Sequence, residues 1–377
     1  MSFLDLDFDP EDMIRRLRPW IETESPTFDP AALARMVDVV AFDAAAAGAS
    51  IEVIPGRMGC GPSLRVKFPH PDLGKPGILV SGHLDTVHPV GTLAQNPWRR
   101  EDGRIYGPGI QDMKGGNFVA LEAMRRIMRA GLVTPLPVTL LLTPDEEIGT
   151  PATRGLIEQE ALLNRYVVVP EPALQDQSCV IGRYAIARFN LETRGVPSHA
   201  GWALKDGRSA IATMARKIPV IEAMTSDDCT FSVGVIRGGT WVNCVASSCL
   251  AEVLSMAKTD QDLERGVAAM LDLSGTENGV EFIVTRGVTR PVWQPGQPQD
   301  MALYDRAAGI AARLGFTLGH QPSGGGSDGN FTGALGIPTI DSTGVLGAGL
   351  HTLNEHIIES SLLERARFHA GLFLELN

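Results

Sequence analysis

Short apolar runs alternate with amphipathic stretches along the first half of the chain. Apolar residues recur at helical spacing in residues 11–22 and 30–47, which predicts two helices. Short runs rich in β-branched and other apolar residues predict buried strands at residues 77–82, 138–143, 166–169 and 337–340. Helices alternating with apolar strands are typical of an α/β domain in which helices flank a mixed, largely parallel sheet.

Polar residues follow each predicted strand directly. The side chains in question are His83 with Asp85, Glu146 with Glu147, Glu171, and Asp341, which a glycine-rich loop separates from His351. Asp112 precedes a predicted amphipathic helix that runs to about residue 129. Because the carboxyl ends of parallel strands meet at one edge of a sheet, we expect these groups to gather in one region.

The middle of the chain has a different pattern. Strands are predicted at 181–193, 230–236, 244–255 and 280–285, and helices at 209–224 and 260–273. The resulting order, β-α-β-β-α-β, is that of a ferredoxin-like α+β module. We therefore expect a first domain formed by residues 1–181 and 292–377, interrupted by an inserted domain at 182–291.

Composition narrows the class of protein. A length of 377 residues favours two domains, and a net charge of −11 argues against nucleic acid or an anionic membrane as partner. The acidic first residues lack the order of a signal peptide, so we expect a cytoplasmic protein. The five scattered cysteines predict neither a disulfide framework nor a thiolate metal site.

Imidazoles beside carboxylates are the ligands of hydrolytic metal sites, although each motif is ambiguous alone. After a strand, Asp85 could hold the far nitrogen of His83 while that histidine binds a metal. Glu146 and Glu147 could instead begin a solvated helix, and Asp112 could be an N-cap. His351 and His356 are not distinguished by their local sequence.

Taken together, the motifs resemble those of the di-zinc aminoacylase/carboxypeptidase family, which includes bacterial glutamate carboxypeptidase, acetylornithine deacetylase and succinyl-diaminopimelate desuccinylase. The similar segments occur in family order over nearly the whole chain. They are SGHLDTV (81–87), GPGIQDMKGG (107–116), PDEEIG (144–149), VPEP (169–172), GVPSHAG (195–201), GGGSDG (324–329) and the late His351.

The resemblance implies a role for each matching residue. Asp112 would bridge two zinc ions, with His83 and Glu171 on one ion and Glu147 and His351 on the other. Cobalt or manganese could replace zinc in such a carboxylate-rich site. Glu146 would be the general base and Asp85 the partner of His83.

The inserted domain has implied roles as well. The resemblance implies a homodimer through residues 182–291, in which His199 reaches the partner's active site and stabilises the tetrahedral oxyanion. A substrate carboxylate needs a cation or backbone N–H groups, and Arg290 is our first candidate, ahead of Arg286. Asn243, Gly325 and Gly326 resemble family positions that touch substrate.

The implied reaction is hydrolysis of an amide bond next to a free carboxylate. The substrate would be an N-acyl amino acid, a short peptide, or an aryl-amide of glutamate or aspartate; Glu171 is closer to the glutamate carboxypeptidase branch than an aspartate would be. Alternatives are another C–N hydrolysis, such as deamination or ureido hydrolysis, and a non-catalytic binding protein on the same fold.

A serine-hydrolase motif competes with the metal site. Residues 325–329 fit G-x-S-x-G, and Asp341 and His351 follow Ser327 in the chain order of an α/β-hydrolase triad. The serine does not directly follow a predicted buried strand, and a serine enzyme would leave His83 and Asp112 unexplained. We therefore favour the metal site.

Overall fold

The computed structural model describes residues 2–377, which divide into two compact units. Unit 1 comprises residues up to Gly182 together with Pro295–Ser323 and Ser327–Asn377. Unit 2 comprises Arg183–Gln294 and the short segment Gly324–Gly326. The predicted boundaries at 182 and 291 fall within a few residues of this division.

The elements follow in chain order. Residues 2–183 contain helices α1 (Pro10–Glu22), α2 (Pro30–Ala46), α3 (Gly115–Arg129) and α4 (Arg154–Leu162), and strands β1 (Ser50–Ile54), β2 (Ser63–Lys67), β3 (Ile78–His83), β4 (Arg99–Glu101), β5 (Arg104–Tyr106), β6 (Val138–Thr143), β7 (Tyr166–Val169) and β8 (Cys179–Arg183).

The remaining elements complete both units. Unit 2 contains β9 (Ala185–Arg194), α5 (Ala210–Glu222), β10 (Cys229–Gly238), β11 (Ser248–Ala257), α6 (Asp260–Leu271), β12 (Gly275–Glu277) and β13 (Val280–Arg290). The last part of unit 1 contains α7 (Pro298–Leu314), β14 (His320–Ser323), α8 (Gly329–Ala334), β15 (Thr339–Asp341), β16 (Gly347–Ala348), β17 (His356–Ile358) and α9 (Glu359–Glu375).

An eight-stranded mixed sheet forms the centre of unit 1, in the order β1-β2-β6-β3-β7-β15-β8-β14. Its four middle strands are mutually parallel: β6 pairs with β3, β3 with β7, and β7 with β15. These are the four strands predicted from apolar runs, and β3, β6 and β7 are buried along their whole length. The predicted α/β fold class is confirmed.

Helix α3 lies in the interior instead of presenting a solvated polar face. Its residues 115–127 are all buried, including Glu122 at 1% exposure. Glu122 pairs with Arg16 of α1 and with Arg125 and Arg126 of its own helix, so the polar residues of the predicted amphipathic pattern are satisfied by ion pairs. The predicted amphipathic character thus reflects a buried charged network.

Unit 2 has the predicted ferredoxin-like topology. Its sheet has the order β10-β11-β9-β13-β12, and its recorded strand pairs are antiparallel. The short strand β12 forms a hairpin with β13 that the sequence pattern did not reveal. Alternation along β9 and β11 buries every second residue, since one sheet face packs on α5 and α6 and the other is more exposed.

Two further observations concern the described residues as a whole. In the part that the structure describes, no helix has the length and apolar character needed to cross a bilayer. All five cysteines are free: Cys244 is exposed, Cys60 is half-buried and the other three are buried.

Candidate metal centre

Six of the predicted side chains converge at one edge of the unit 1 sheet. His83 ends β3, Glu146 and Glu147 lie in a short 3-10 turn after β6, and Glu171 follows β7. Asp112 lies in the turn before α3, and His351 lies in the loop between β16 and β17. The ligand atoms of His83, Asp112 and Glu147 lie within 4.8 Å of one another, and so do those of His83, Glu146 and Glu171.

Contacts of its Nδ1 atom with Asp85 orient the imidazole of His83. Nδ1 lies 2.9 Å from the backbone carbonyl of Asp85 and 3.3 Å from its carboxylate. Since the carbonyl can only accept, Nδ1 carries a proton, and Nε2 is the nitrogen that faces the carboxylates. Nε2 lies 3.2 Å from Asp112 and 3.7 Å from Glu171.

Asp112 lies between the two histidines. Its Oδ1 faces His83, and its Oδ2 lies 3.2 Å from Nε2 of His351, which is also 3.4 Å from Glu147. His356 is placed differently: its Nδ1 lies 2.8 Å from the carbonyl of Asn354 and its ring packs on Tyr106. The geometry therefore distinguishes His351 from His356, which the local sequence did not.

Asp85 organises the neighbouring strand end. Its carboxylate is completely buried and accepts hydrogen bonds from the backbone N–H groups of Glu146 and Glu147, each at 3.2 Å. The hydroxyl of Thr27 donates to the same carboxylate at 2.8 Å. Asp85 thus fixes the glutamate pair as well as His83, and Thr27 was not predicted from the sequence.

Close backbone approach explains one glycine of the motif around Asp112. A Cβ atom at Gly116 would lie 1.8 Å from the carbonyl oxygen of Pro170, the residue before Glu171. The start of α3 can therefore approach the end of β7 only with glycine at this position. Asn117, the next residue, donates to the carbonyl of His83 at 2.7 Å, so the same helix start also holds the end of β3.

Glu355 is a buried carboxylate that sequence reasoning missed. Its oxygens accept hydrogen bonds from the backbone N–H groups of Gly109 (2.7 Å), Gln111 (2.8 Å) and Asp112 (3.0 Å), and one oxygen lies 2.7 Å from the ring of His88. It therefore fixes the turn that presents Asp112. No local spacing marks Glu355, because its partners lie more than 240 residues earlier.

Replacing Glu355 by Gln should destabilise unit 1. The amide has one acceptor oxygen instead of two, so buried N–H groups lose their partner, at a cost of about 1–3 kcal/mol each. We expect the free energy of unfolding in urea to fall by about 2–4 kcal/mol, in chelator as well as in metal. Glu101→Gln, at an exposed position of β4, is the control; equal stability of the two variants would contradict the assigned role.

The donor set suits a divalent cation. Four carboxylates and two imidazoles face one another, so the cluster is strongly anionic unless a cation or protons compensate it. Imidazole nitrogen and carboxylate oxygen are ligands for zinc, and also for cobalt and manganese. Nε2 of His83 faces two carboxylates, Asp112 and Glu171, an arrangement that suits a cation between them.

The electrostatics of the metal-free cluster agree with this. Burial raises the pKa of Glu171 well above its usual value, and the neighbouring Asp112 raises it further. Burial also raises the pKa of Glu147. Hydrogen bonds with Asp112 and Glu147 raise the pKa of His351 to about 10. Without a cation, protons reduce the repulsion in the cluster.

Metal binding to the chelated protein should therefore release protons. At pH 7 to 8, His351 holds a proton because its pKa is about 10, and it must lose that proton to bind a metal. The apparent affinity should rise with pH and fall as pH drops through the range in which Glu147 and Glu171 take up protons. Titration calorimetry in two buffers of different ionisation enthalpy measures the release; binding heats independent of buffer would contradict it.

The other predicted residues lie in unit 2. Arg290 is 4% exposed. Its side chain lies close to Gly326: a Cβ atom added at Gly326 would be 2.8 Å from Cδ of Arg290. The carbonyl of Gly325 accepts from Arg183 at 2.7 Å. Arg286, the second candidate for the substrate carboxylate, is exposed, and its Nε donates a hydrogen bond to the hydroxyl of Thr289. Asn243 is exposed, and its backbone carbonyl accepts a hydrogen bond from the N–H of Ala200 at 2.9 Å.

His199 has a defined ring orientation within unit 2. Its Nδ1 accepts a hydrogen bond from the backbone N–H of Gly201 at 3.1 Å, and its ring stacks on Trp202 with centroids 5.0 Å apart. Because Nδ1 accepts, Nε2 carries the proton of the neutral ring. The side chain is therefore set up as a hydrogen-bond donor.

Ser327 is not placed as a nucleophile. It is completely buried, its hydroxyl donates to the carboxylate of Asp341, and its oxygen accepts from the N–H of Gly329 at 2.9 Å. His351, the third member of the alternative triad, contacts Asp112 and Glu147 instead. The buried serine supports the end of β15, and the serine-hydrolase alternative is rejected.

The fold and this cluster define a metal-dependent α/β hydrolase with a ferredoxin-like second unit. Comparison with known proteins agrees, since the model of peptidase family M20/M25/M40 matches residues 79–375. The chain belongs to this family of metallopeptidases and amidohydrolases.

Individual relatives show how far the similarity extends. The chain is 31% identical over 308 residues to carboxypeptidase G2 from Pseudomonas sp. (strain RS-16), covering 79% of this chain and 73% of that protein. It is 25% identical over 329 residues to succinyl-diaminopimelate desuccinylase from Alkalilimnicola ehrlichii, covering 80% and 84%. A tripeptidase structure from Staphylococcus aureus superposes with a TM-score of 0.76 at 21% identity, covering 97% and 98%.

Proposed function

We propose that this enzyme hydrolyses an amide bond next to a free carboxylate, in an N-acyl amino acid, a short peptide, or an aryl-amide of glutamate or aspartate. The observation that carries the proposal is the placement of Asp112, with one carboxylate oxygen facing each histidine of the cluster. The similarity to a carboxypeptidase and to a desuccinylase supports amide cleavage beside a carboxylate.

The residues that would hold two zinc ions are His83, Asp112, Glu147, Glu171 and His351. Bound metal supplies Lewis acidity, which polarises the scissile carbonyl and lowers the pKa of water. The protein's own side chains supply the other functions. Asp85 keeps the proton of His83 on Nδ1, so that Nε2 stays a ligand.

Glu146 is the proposed general base. It takes a proton from the attacking water and delivers it to the nitrogen of the departing amine, as one carboxylate can do in both half-reactions. Its backbone is fixed by Asp85, while its side chain is within ligand distance of His83 and Glu171. Metal retention in a Glu146 variant therefore distinguishes a base from a ligand.

We further propose a cytoplasmic homodimer formed through residues 182–291. Exposed apolar side chains of unit 2, among them Trp241, Val242 and Leu250, support an interface on this unit. In this dimer the partner subunit's His199 would donate its Nε2 proton to the oxyanion that forms during attack. The Gly201 N–H on Nδ1 supports this donor role.

Arg290 is the proposed anchor of the substrate carboxylate, with Asn243 and the backbone at Gly325 and Gly326 beside it. A guanidinium can bind a carboxylate through two parallel hydrogen bonds. The close approach of Gly326 to the arginine side chain supports a shared role for these residues.

Arg290→Ala tests this function. We expect KM for an N-acyl amino acid to rise at least about tenfold, because a charge-assisted hydrogen bond contributes about 1.5–3 kcal/mol, whereas KM for the same compound capped as a C-terminal amide stays high in both proteins. Arg290→Lys should recover part of the loss, and Arg286→Ala, at an exposed position, is the matched control. Equal KM values for Arg290→Ala and wild type would refute the anchor.

A further inference from the structure

A cavity of about 440 Å³ lies in unit 1 beside the candidate metal centre. Its apolar lining comes from Pro26, Phe28, Val87, Pro89, Val90 and Ile148. Phe28 is 84% exposed, and Val87 and Val90 are exposed as well. Large apolar side chains clustered at the surface usually indicate a binding site.

The cavity borders the metal centre through one shared residue. Glu147 is part of its wall and lies 3.4 Å from His351 in the cluster. Thr27, another wall residue, donates to the buried carboxylate of Asp85. A group that enters the cavity is therefore next to the residues that we assign to bond cleavage.

The wall is held in place from both sides. The segment at Pro26 pairs with Thr86, and the N–H of Thr27 donates to the carbonyl of Thr86 at 3.2 Å. Asp29 caps α2 by accepting from Ala31 and Ala32. Phe28 thus lies between two anchored residues, and the apolar surface exists before any substrate binds.

The charges of the wall select what can enter. The ionisable residues among those lining the cavity are Asp29 and Glu147, both acidic, with no lysine or arginine among them. Because Glu147 is assigned to the metal, Asp29 is the acid of the wall that no metal would neutralise, so a carboxylate in the cavity would face Asp29 and find no lysine or arginine to pair with. The free carboxylate of the substrate therefore stays outside, and the group that enters lies on the other side of the scissile bond.

We propose that this cavity is the acyl subsite, and that it takes an uncharged apolar acyl chain or side chain. The inference rests on the proposed function, since it assigns the carbonyl side of the amide that the metal centre cleaves. Its consequence is a preference for aliphatic or aromatic acyl groups over both acetyl and dicarboxylic acyl groups.

The experiment compares three substrates with the same amino acid: its N-acetyl, N-hexanoyl and N-succinyl derivatives. Each methylene moved from water into an apolar site favours binding about fourfold. Hexanoyl has four more methylenes than acetyl, so for the wild-type holoenzyme we expect kcat/KM for the hexanoyl substrate to exceed that for the acetyl substrate by up to about 250-fold, and kcat/KM for the succinyl substrate to be the lowest. In Phe28→Ala, the ratio of kcat/KM for the hexanoyl substrate to that for the acetyl substrate should fall about tenfold.

Phe42→Ala is the matched control, because Phe42 is 80% exposed on α2 but does not line the cavity. It should keep the wild-type ratio. Val90→Lys adds a cation to the wall and should raise kcat/KM for the succinyl substrate relative to that for the hexanoyl substrate. Sedimentation of each variant tests whether the cavity instead binds a second copy of the chain. A change in oligomeric state with an unchanged hexanoyl-to-acetyl ratio of kcat/KM would overturn the subsite.

The outcomes separate the two proposals. Metal-dependent hydrolysis of the acetyl substrate with the same acyl ratio in wild type, Phe28→Ala and Phe42→Ala refutes the subsite and leaves the proposed function intact. Absence of hydrolysis of all three substrates, with metal bound, refutes the proposed function and the subsite with it.

Discussion

Glu146→Gln is expected to lower kcat by about 10³–10⁴-fold, the larger part of the range for general acid–base catalysis, while the protein keeps its full metal content. Glutamine has the shape of glutamate but cannot take a proton from water. The backbone N–H at position 146 still reaches Asp85, so the turn that holds Glu147 is preserved.

Glu158→Gln, on α4 of the same unit and paired with Arg154, is the matched control and should retain normal turnover. Metal analysis of both variants accompanies the kinetics. Turnover within threefold of wild type would exclude Glu146 as the base. Loss of metal together with activity would make it a ligand, which its distance from His83 and Glu171 permits.

His351→Ala is expected to reduce the bound metal from about two ions per chain to about one, and kcat/KM by more than about 100-fold, the upper end of losses seen for residues that only support a ligand. The reason lies in the division of the cluster by Asp112. One oxygen of Asp112 faces His83 near Glu171, and the other faces His351 near Glu147. Removing His351 leaves the first set complete.

The control is His356→Ala, five residues along the same segment. Nδ1 of His356 lies at hydrogen-bond distance from the carbonyl of Asn354, and its ring packs on Tyr106. Because these contacts lie outside the cluster, the substitution should leave metal content and kcat/KM near the wild-type values. Elemental analysis of dialysed protein gives the metal count. Two ions in His351→Ala, or the same loss in both variants, would contradict the division of ligands.

The central strands were predictable because burial on both faces leaves a continuous apolar run. β6 and β7 begin and end at the predicted residues, and β3 is displaced by only one. Strands β4, β5, β16 and β17 have two or three residues each, too few for a pattern to show. Their pairing is non-local, as in Ile105 with Ile357, and sequence spacing carries no record of it.

The candidate site was predictable to the extent that its residues follow strands. His83, Glu146, Glu147 and Glu171 lie within four residues of the ends of predicted strands, and the sheet order brings these ends together. Glu355 and Thr27 could not be found this way, since their roles depend on partners distant in the chain. The interior position of α3 was missed because a buried ion-pair network has the same sequence pattern as a solvated helix face.

Metal-dependent amide hydrolysis is tested most directly by the metal content of the purified protein, together with hydrolysis of N-acyl amino acids before and after chelation. We expect about two zinc ions per chain, activity that is lost to chelator, and recovery when zinc or cobalt is restored. Metal-free protein that hydrolyses these substrates at full rate in the presence of chelator would contradict it.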